Sequence, residues 1–218
     1  MSNATIASQV DLFNAGFNAQ IGDDLAAVFA DEQQDLIVGG IPVAAVTVGD
    51  TVPDATLLDV NGAPVALTSV IGTGPAVIVF YRGAWCPYCN LTLKTYQRDL
   101  LPGLTAQGIA LIAISPQTPD GSTAAVENGE LGFPVLSDPS NRLIGELGIR
   151  TEPSAQARLA HTQLGFDVAD SNADSTGDIP FPTVLLVNAS RVVTFADVHV
   201  DYTTRTEVSE ILAAVAAL

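Results

Sequence analysis

Cations, cysteines and long apolar runs are all scarce in this sequence. Lys94 is the only lysine, seven arginines supply the other cations, and 24 acidic residues leave a formal charge of −16. That balance excludes nucleic acid and anionic membrane surfaces as partners, since both are polyanions. The acidity reads as a solvated surface that favours solubility. No apolar run approaches the ~18 residues of a membrane-spanning segment. The longest, around Leu36 to Val48, is broken by Gly39, Gly40 and Pro42. The N-terminus lacks a basic region leading into an apolar core, so no secretory signal is expected and the expected compartment is the cytoplasm. Only two cysteines, Cys86 and Cys89, and two histidines, His161 and His199, occur in the whole chain.

Apolar residues, by contrast, make up 48% of 218 residues, enough for a packed globular protein with a substantial core. Residues 1–47 read as a helical N-terminal extension. Ile6, Val10, Phe13, Phe17 and Ile21 form one helically spaced stripe, which Leu25, Val28, Phe29 and Leu36 continue after a break at Gly22-Asp23-Asp24. This arm holds no His or Cys and reads as structural, packing on the domain or on a second subunit of a homodimer. From 48 to 218 the pattern becomes that of one α/β domain. Apolar segments at 55–59 and 64–67 flank Asn61-Gly62, a hairpin signal. A β-branched run at 76–81 leads into a helix from about 86 to 106, in which Pro102 should kink or split the helix near Leu100. Ile109 to Ile114 is apolar throughout, as in a buried parallel strand. The stretch 150–180 reads as a loop-rich insertion with one helix near 154–164. A strand at 183–187, a hairpin partner at 192–198 and a final helix follow, the last with capping-box spacing at Thr204-Arg205-Thr206-Glu207. The order implies an α/β sandwich around a mixed central sheet.

The chemistry concentrates at Arg82-Gly83-Ala84-Trp85-Cys86-Pro87-Tyr88-Cys89. Two cysteines three apart at a strand-to-helix junction form a thioredoxin-like redox motif. Cys86 at the first helical turn lies where the helix dipole favours a thiolate, and Cys89, one turn on, is placed to close a disulfide with it. Pro87 suits the helix start, Trp85 and Tyr88 form an apolar platform, and Arg82 supplies positive potential if it turns toward the sulfur. Two competing readings remain: ordinary buried cysteines, or a zinc site completed by His161 and His199. Those histidines, 38 residues apart, lack zinc-finger pairing, so the expected metal is none. Phe181-Pro182-Thr183, at the mouth of a strong strand, is the second constellation. Pro182 is a candidate for the cis form, although a trans proline opening an edge strand is the default for those residues alone.

Trp-Cys-Pro-Tyr-Cys at 85–89 resembles a thioredoxin or glutaredoxin active site. The surrounding chain is more similar to the peroxiredoxin-like branch of the alkyl hydroperoxide reductase/thiol-specific antioxidant (AhpC/TSA) family. The matching pieces are Val48 to Asp54, Phe80-Tyr81-Arg82-Gly83, Ile114 to Asp120, Phe133 to Asp138 and Asp201-Tyr202-Thr203-Thr204-Arg205. The resemblance implies a thioredoxin-like fold, a redox-active disulfide without other cofactor, and Pro182 as a cis-proline facing the cysteines, with Phe181, Pro182 and Thr183 presenting backbone to the substrate. Against the peroxiredoxin pattern, Arg82 replaces a proline, Cys86 takes the place of a threonine, Cys89 falls on the peroxidatic position, and Pro182 stands where an arginine is usual. The thioredoxin reading makes Cys86 the more exposed and attacking sulfur; the peroxiredoxin count makes it Cys89. We favour the former. The expected activity is a dithiol/disulfide cycle that reduces a peroxide or a disulfide and draws electrons from thioredoxin, a glutaredoxin-type protein or glutathione. Its alternatives are disulfide exchange with no peroxidase activity, and a non-catalytic binding module with structural or zinc-holding cysteines.

Overall fold

The computed structural model describes residues 4–218. The sequence begins with two helices, α1 (Ile6–Ile21) and α2 (Asp23–Gly39), separated at Gly22. This is the break expected there: Gly22 lies at φ 83°, in the left-handed region that a residue with a Cβ avoids. Thr5 starts α1 by accepting the Ser8 N–H. A hairpin of β1 (Thr56–Leu58) and β2 (Pro64–Ala66) leads to the short helix α3 (Leu67–Ile71) and the central strand β3 (Ala76–Phe80). Then come α4 (Pro87–Thr95), a π-helical turn over Tyr96–Leu100, and α5 (Leu101–Thr105). The π turn is where the expected split occurs, because Pro102 has no N–H to give to an α-helical bond and the wider turn absorbs the mismatch.

Next come β4 (Ala110–Ser115), α6 (Pro119–Gly129), β5 (Val135–Ser137) and α7 (Arg142–Glu146). The segment expected to be a loop-rich insertion carries β6 (Arg150–Thr151), α8 (Ala155–Gln163), α9 (Val168–Ser171) and β7 (Ile179–Pro180), with β6 and β7 pairing as a separate two-stranded ladder. β8 (Thr183–Val187), β9 (Val193–Val198) and α10 (Val208–Val215) complete the chain.

Seven strands make one mixed sheet in the order β2-β1-β5-β4-β3-β8-β9. β4 runs parallel to both β3 and β5, and β8 runs antiparallel to β3 and β9. The two faces follow from the period-2 alternation of a strand. Val77, Val79 and Tyr81 enter the core under α4, α1 and α10, whereas Ala76, Ile78 and Phe80 enter the opposite core with Leu67, Leu143 and Ile144. β3 is thus buried on both faces, and the turn that follows it leaves the sheet at its centre.

The N-terminal arm packs on its own domain. The Glu207 carboxylate accepts the Ile6 and Ala7 N–H groups at 3.0 and 2.8 Å, an anion on the unpaired amides at the start of α1. The same side chain caps α10: Glu207 and Glu210 form the reciprocal box, three residues beyond the Thr204–Glu207 box read from the sequence. That expectation is corrected because Thr204 is drawn away, its hydroxyl donating to the Asp201 carbonyl at 2.9 Å and meeting His199 Nδ1 at 2.7 Å. Farther along the arm, buried Glu32 of α2 accepts the Ser154 N–H at 2.8 Å. Glu207 therefore fastens two helix starts at once. Glu207→Ala should cost about 1–2 kcal/mol in urea unfolding, the loss of a cap and a dipole contact together. A loss within ~0.3 kcal/mol would show that the arm is not held at this end.

Candidate functional site

The turn after β3 is built to deliver the cysteine pair. Gly83 sits at φ 154°, and a Cβ there would run into the Trp85 indole and the Gln117 amide. Gln117 Oε1 accepts the Ala84 N–H at 2.7 Å, and Asn90 Nδ2 donates to the Ala84 carbonyl at 2.7 Å, pinning the turn from both sides. Cys86 is the N-cap of α4 and Pro87 occupies its first turn, as the sequence implies. Cys89 follows one turn later and donates its N–H to the Cys86 carbonyl at 3.1 Å. Both sulfurs are free thiols, and each residue is 1% exposed. The expectation that Cys86 is the more exposed of the two is thereby corrected: both pack in the core formed under α1 and α4.

The electrostatics also differ from the helix-dipole expectation. The Cys86 side chain makes no capping bond, and burial pushes its thiol up. Burial acts on Cys89 in the same sense but is overcome there: the Cys86 thiol donates to the Cys89 sulfur, the Arg205 charge lies beside it, and the Arg82 N–H and guanidinium add to both. Arg205 is half-buried and donates to the Cys89 sulfur at 3.3 Å, while its other arm bonds the Tyr202 and Thr204 carbonyls. The pair therefore holds its negative charge on Cys89, well below the usual thiol range, and its proton on Cys86.

Access divides the two sulfurs the other way. Cys86 lines a cavity of about 470 Å³, whereas the cavity beside Cys89 measures about 10 Å³, room for roughly one water molecule. Arg82 and Tyr88 wall the large cavity with Trp85 and Pro87. Arg82 does turn toward the site: its guanidinium carbon lies 4.1 Å from the Tyr202 ring centroid and 5.0 Å from that of Trp85, and the residue is 5% exposed. Such stacking holds a desolvated cation without an anionic partner.

Phe181, Pro182 and Thr183 do not line this cavity; Pro182 and Thr183 border the small space behind Cys89. Nor is Pro182 a cis-proline: among the described residues every peptide bond is trans. The trans form suffices because Pro182 is needed only as an acceptor, its carbonyl taking the His199 N–H at 2.9 Å and extending the β8–β9 ladder by one bond. Thr183 is spent on the ladder too, paired with Phe80, and its hydroxyl bonds the Phe181 carbonyl at 2.9 Å.

The place expected to be filled by the Phe181–Thr183 backbone is taken by the arm. Phe13, Phe17 and Phe29 supply the apolar wall, and Asn14 accepts the Tyr88 hydroxyl at 2.7 Å while Phe13 meets that ring edge-on. The insertion closes the far side with His161, Leu164 and Phe166. His161 stacks with Phe29, Trp85 and Phe166; it is neither a surface residue nor a satisfied core one, since its Nδ1 is buried without a partner. His199 lies elsewhere, bonded to Asp197 at 3.0 Å and Thr204 at 2.7 Å. Among the described residues no group of three His, Cys, Asp or Glu side chains is arranged to hold a metal ion, and no helix is long and apolar enough to cross a membrane.

Arg205, Gln117, Tyr202 and the arm aromatics were not singled out from the sequence as site residues. Arg205 and Tyr202 had a signal in the Asp201–Arg205 tail and Gln117 in Ser115-Pro116-Gln117; the arm had only its Phe13–Phe17 spacing.

Burial pushes the His161 pKa down to about 4, with Arg82 adding to the effect. A base with a depressed folded pKa destabilises the fold once the unfolded chain takes up its proton, from about pH 6.5 downward, and the penalty saturates below the folded value. His161→Phe keeps the ring stack without the titration. Between pH 6.5 and 4 the stability of the parent should fall more steeply than that of the variant, by up to about 1.4 kcal/mol per pH unit; parallel curves would contradict this placement.

Comparison with known proteins places the chain in a family and a fold. The model of a family described as AhpC/TSA matches residues 48–196. A thiol-disulfide oxidoreductase, ResA, of Geobacillus thermodenitrificans is 30% identical over 111 residues, 50% of this chain and 62% of that protein. A putative peroxiredoxin, bcp, of Haemophilus influenzae is 31% identical over 112 residues, 51% of this chain and 71% of its own length. The chain spans only 62–64% of the length of several curated relatives. Among solved structures, a peroxidoxin BcpB from Mycobacterium tuberculosis superposes with a TM-score of 0.60 at 21% identity, covering 79% of this chain and 98% of its own. That likeness shows the shared fold, a mixed sheet flanked by helices.

Proposed function

The chain belongs to the AhpC/TSA family, and from that membership we propose that it is a thiol oxidoreductase cycling Cys86 and Cys89 between dithiol and disulfide. The observation that carries this reading is the division of labour between the sulfurs: charge on Cys89 beside Arg205, access at Cys86 in the cavity. The expected substrate is a peroxide or a disulfide, with electrons returned by a thioredoxin- or glutaredoxin-type protein or by glutathione.

In the oxidative half, the electrophile enters the cavity and Cys86 attacks it. The Cys86 proton passes along its hydrogen bond to the Cys89 thiolate as the new bond to sulfur forms. With a hydroperoxide, the O–O bond breaks, the outer oxygen stays on Cys86 as sulfenic acid, and the other leaves as alkoxide or hydroxide that takes the proton from Cys89, giving an alcohol or water and restoring the Cys89 thiolate. Arg82 faces that leaving oxygen's charge. Cys89 then attacks the Cys86 sulfur, water departs and the disulfide closes. One thiol, one thiolate, one hydroperoxide and one proton from solvent thus yield a disulfide, an alcohol and water. With a disulfide substrate the same attack gives a mixed disulfide that Cys89 resolves.

Attack by Cys89 is the competing order. The small cavity next to it argues against that order, because room for about one water does not admit a peroxide with a substituent. Cys86→Ser should therefore abolish reaction with an organic hydroperoxide, while Cys89→Ser should leave a sulfenic acid stranded on Cys86 that dimedone labels. Labelling of Cys89 in the Cys86→Ser variant would reverse the order. Thiol loss in the parent no faster than that of free cysteine would remove the peroxidase reading and leave disulfide exchange.

A further inference from the structure

The cavity over Cys86 has a chemical bias that the dithiol cycle alone does not explain. In a chain of net charge −16, its lining contains no Asp or Glu, and Arg82 is its one cation. The Arg82 guanidinium meets no carboxylate or carbonyl among the described residues; its neighbours are the Trp85 and Tyr202 rings. Glu32, which borders the next small cavity with Arg82, accepts the Ser154 N–H on one oxygen and keeps the other buried without a hydrogen bond, forming no ion pair with Arg82. The remaining polar lining is neutral: the amides of Asn18 and Gln20, those of Asn14 and Gln33 with a free half beyond their bonds to Tyr88 and Tyr202, and the His161 ring with its unpartnered Nδ1. A buried cation without an anion, ringed by neutral amides, fits a small ligand bearing a carboxylate and a peptide-like group. The cavity, at about 470 Å³, falls in the range of roughly 300–1,000 Å³ that holds small molecules. By contrast, Cys86 at 1% exposure beneath α1 offers no surface on which a folded protein could present a thiol.

We propose that the disulfide of this protein is reduced by a low-molecular-weight thiol carrying a carboxylate, bound in this cavity with the carboxylate on Arg82, and not by a protein thiol. This rests on the dithiol/disulfide reading above and decides between the two kinds of reductant it leaves open. In the first step the thiolate of the small thiol attacks the Cys86 sulfur, the Cys86–Cys89 bond breaks, and Cys89 departs as a thiolate beside Arg205, a good leaving group because its charge is already accommodated. A second small thiol attacks the ligand sulfur of the mixed disulfide. The small disulfide leaves, and the Cys86 thiolate takes up a proton, so two thiols are oxidised for one disulfide reduced.

The test is reduction of the oxidised full-length chain, followed by Trp85 fluorescence, with N-acetylcysteine, with N-acetylcysteine amide and with reduced thioredoxin. The first two share size and thiol and differ in the carboxylate, so their rates are compared per thiolate. N-acetylcysteine should be about tenfold faster than its amide, and Arg82→Gln should erase that preference. Thioredoxin at equal concentration should be slower than either. Equal rates for the two small thiols in the parent, or thioredoxin fastest of the three, overturns the proposal. Dithiothreitol serves as the control: if it finds no reducible disulfide after peroxide treatment, the dithiol cycle itself fails, and this is a distinguishable result.

Discussion

The contact on which the site depends is the one between the half-buried Arg205 guanidinium and the buried Cys89 sulfur, 3.3 Å apart. Two buried thiols alone would both titrate upward, since burial disfavours a charged sulfur. The arrangement of the Cys86 hydrogen bond with the Arg205 and Arg82 charges overcomes burial at Cys89 but not at Cys86. It separates a chemically uniform pair into a thiolate with no room around it and a thiol facing a cavity. Arg205 is held for the purpose: the carbonyls of Tyr202 and Thr204 fix its position, and Tyr202 in turn supplies the ring against which Arg82 lies. The segment between β9 and α10 therefore sets both cations of the site, although it contributes no reacting atom.

Around this contact the fold supplies enclosure. The sheet delivers the turn after β3 at its centre, with Gly83 and Gln117 fixing the turn. The arm then covers what in a bare α/β domain would be an open helix start. Its Phe13, Asn14 and Phe17 face Tyr88 and the cavity, and Glu207 anchors its first turn to α10. Enclosure gives the charges their weight, since the same ion contact exposed to water would be worth little. It also restricts what can reach Cys86, so selectivity and electrostatics come from one piece of packing.

Much of this was legible in the sequence. Apolar alternation and helical spacing located β3, β4, β8 and the arm helices, the cysteine spacing located the pair around which the candidate site is built, and Pro102 marked the split that the π turn makes. What was not legible depended on partners distant in the chain. Arg205 lies 116 residues from Cys89, and nothing local says that its side chain turns in to the sulfur. The arm looked structural because its chemistry lies in amides and rings, which also form ordinary helix faces. Pro182 was misplaced because a proline before a strand carries no local sign of its isomer; its carbonyl bond to His199 shows it serving the ladder. The greater exposure expected of Cys86 failed for the same reason as the arm: a helix start is open only until something distant covers it.

The central claim is that the Cys86 hydrogen bond, with Arg205 beside it, holds the charge of the pair on Cys89 and leaves the proton on Cys86. Site-resolved titration of the reduced protein, with 13C-labelled cysteine Cβ signals assigned through the single Ser variants, reads this directly. The account predicts that the Cys89 signal titrates well below the ~8.5 of a free thiol and the Cys86 signal above it, and that Arg205→Gln raises the Cys89 midpoint by a unit or more. A Cys86 signal titrating first, or a Cys89 midpoint indifferent to Arg205, would contradict it.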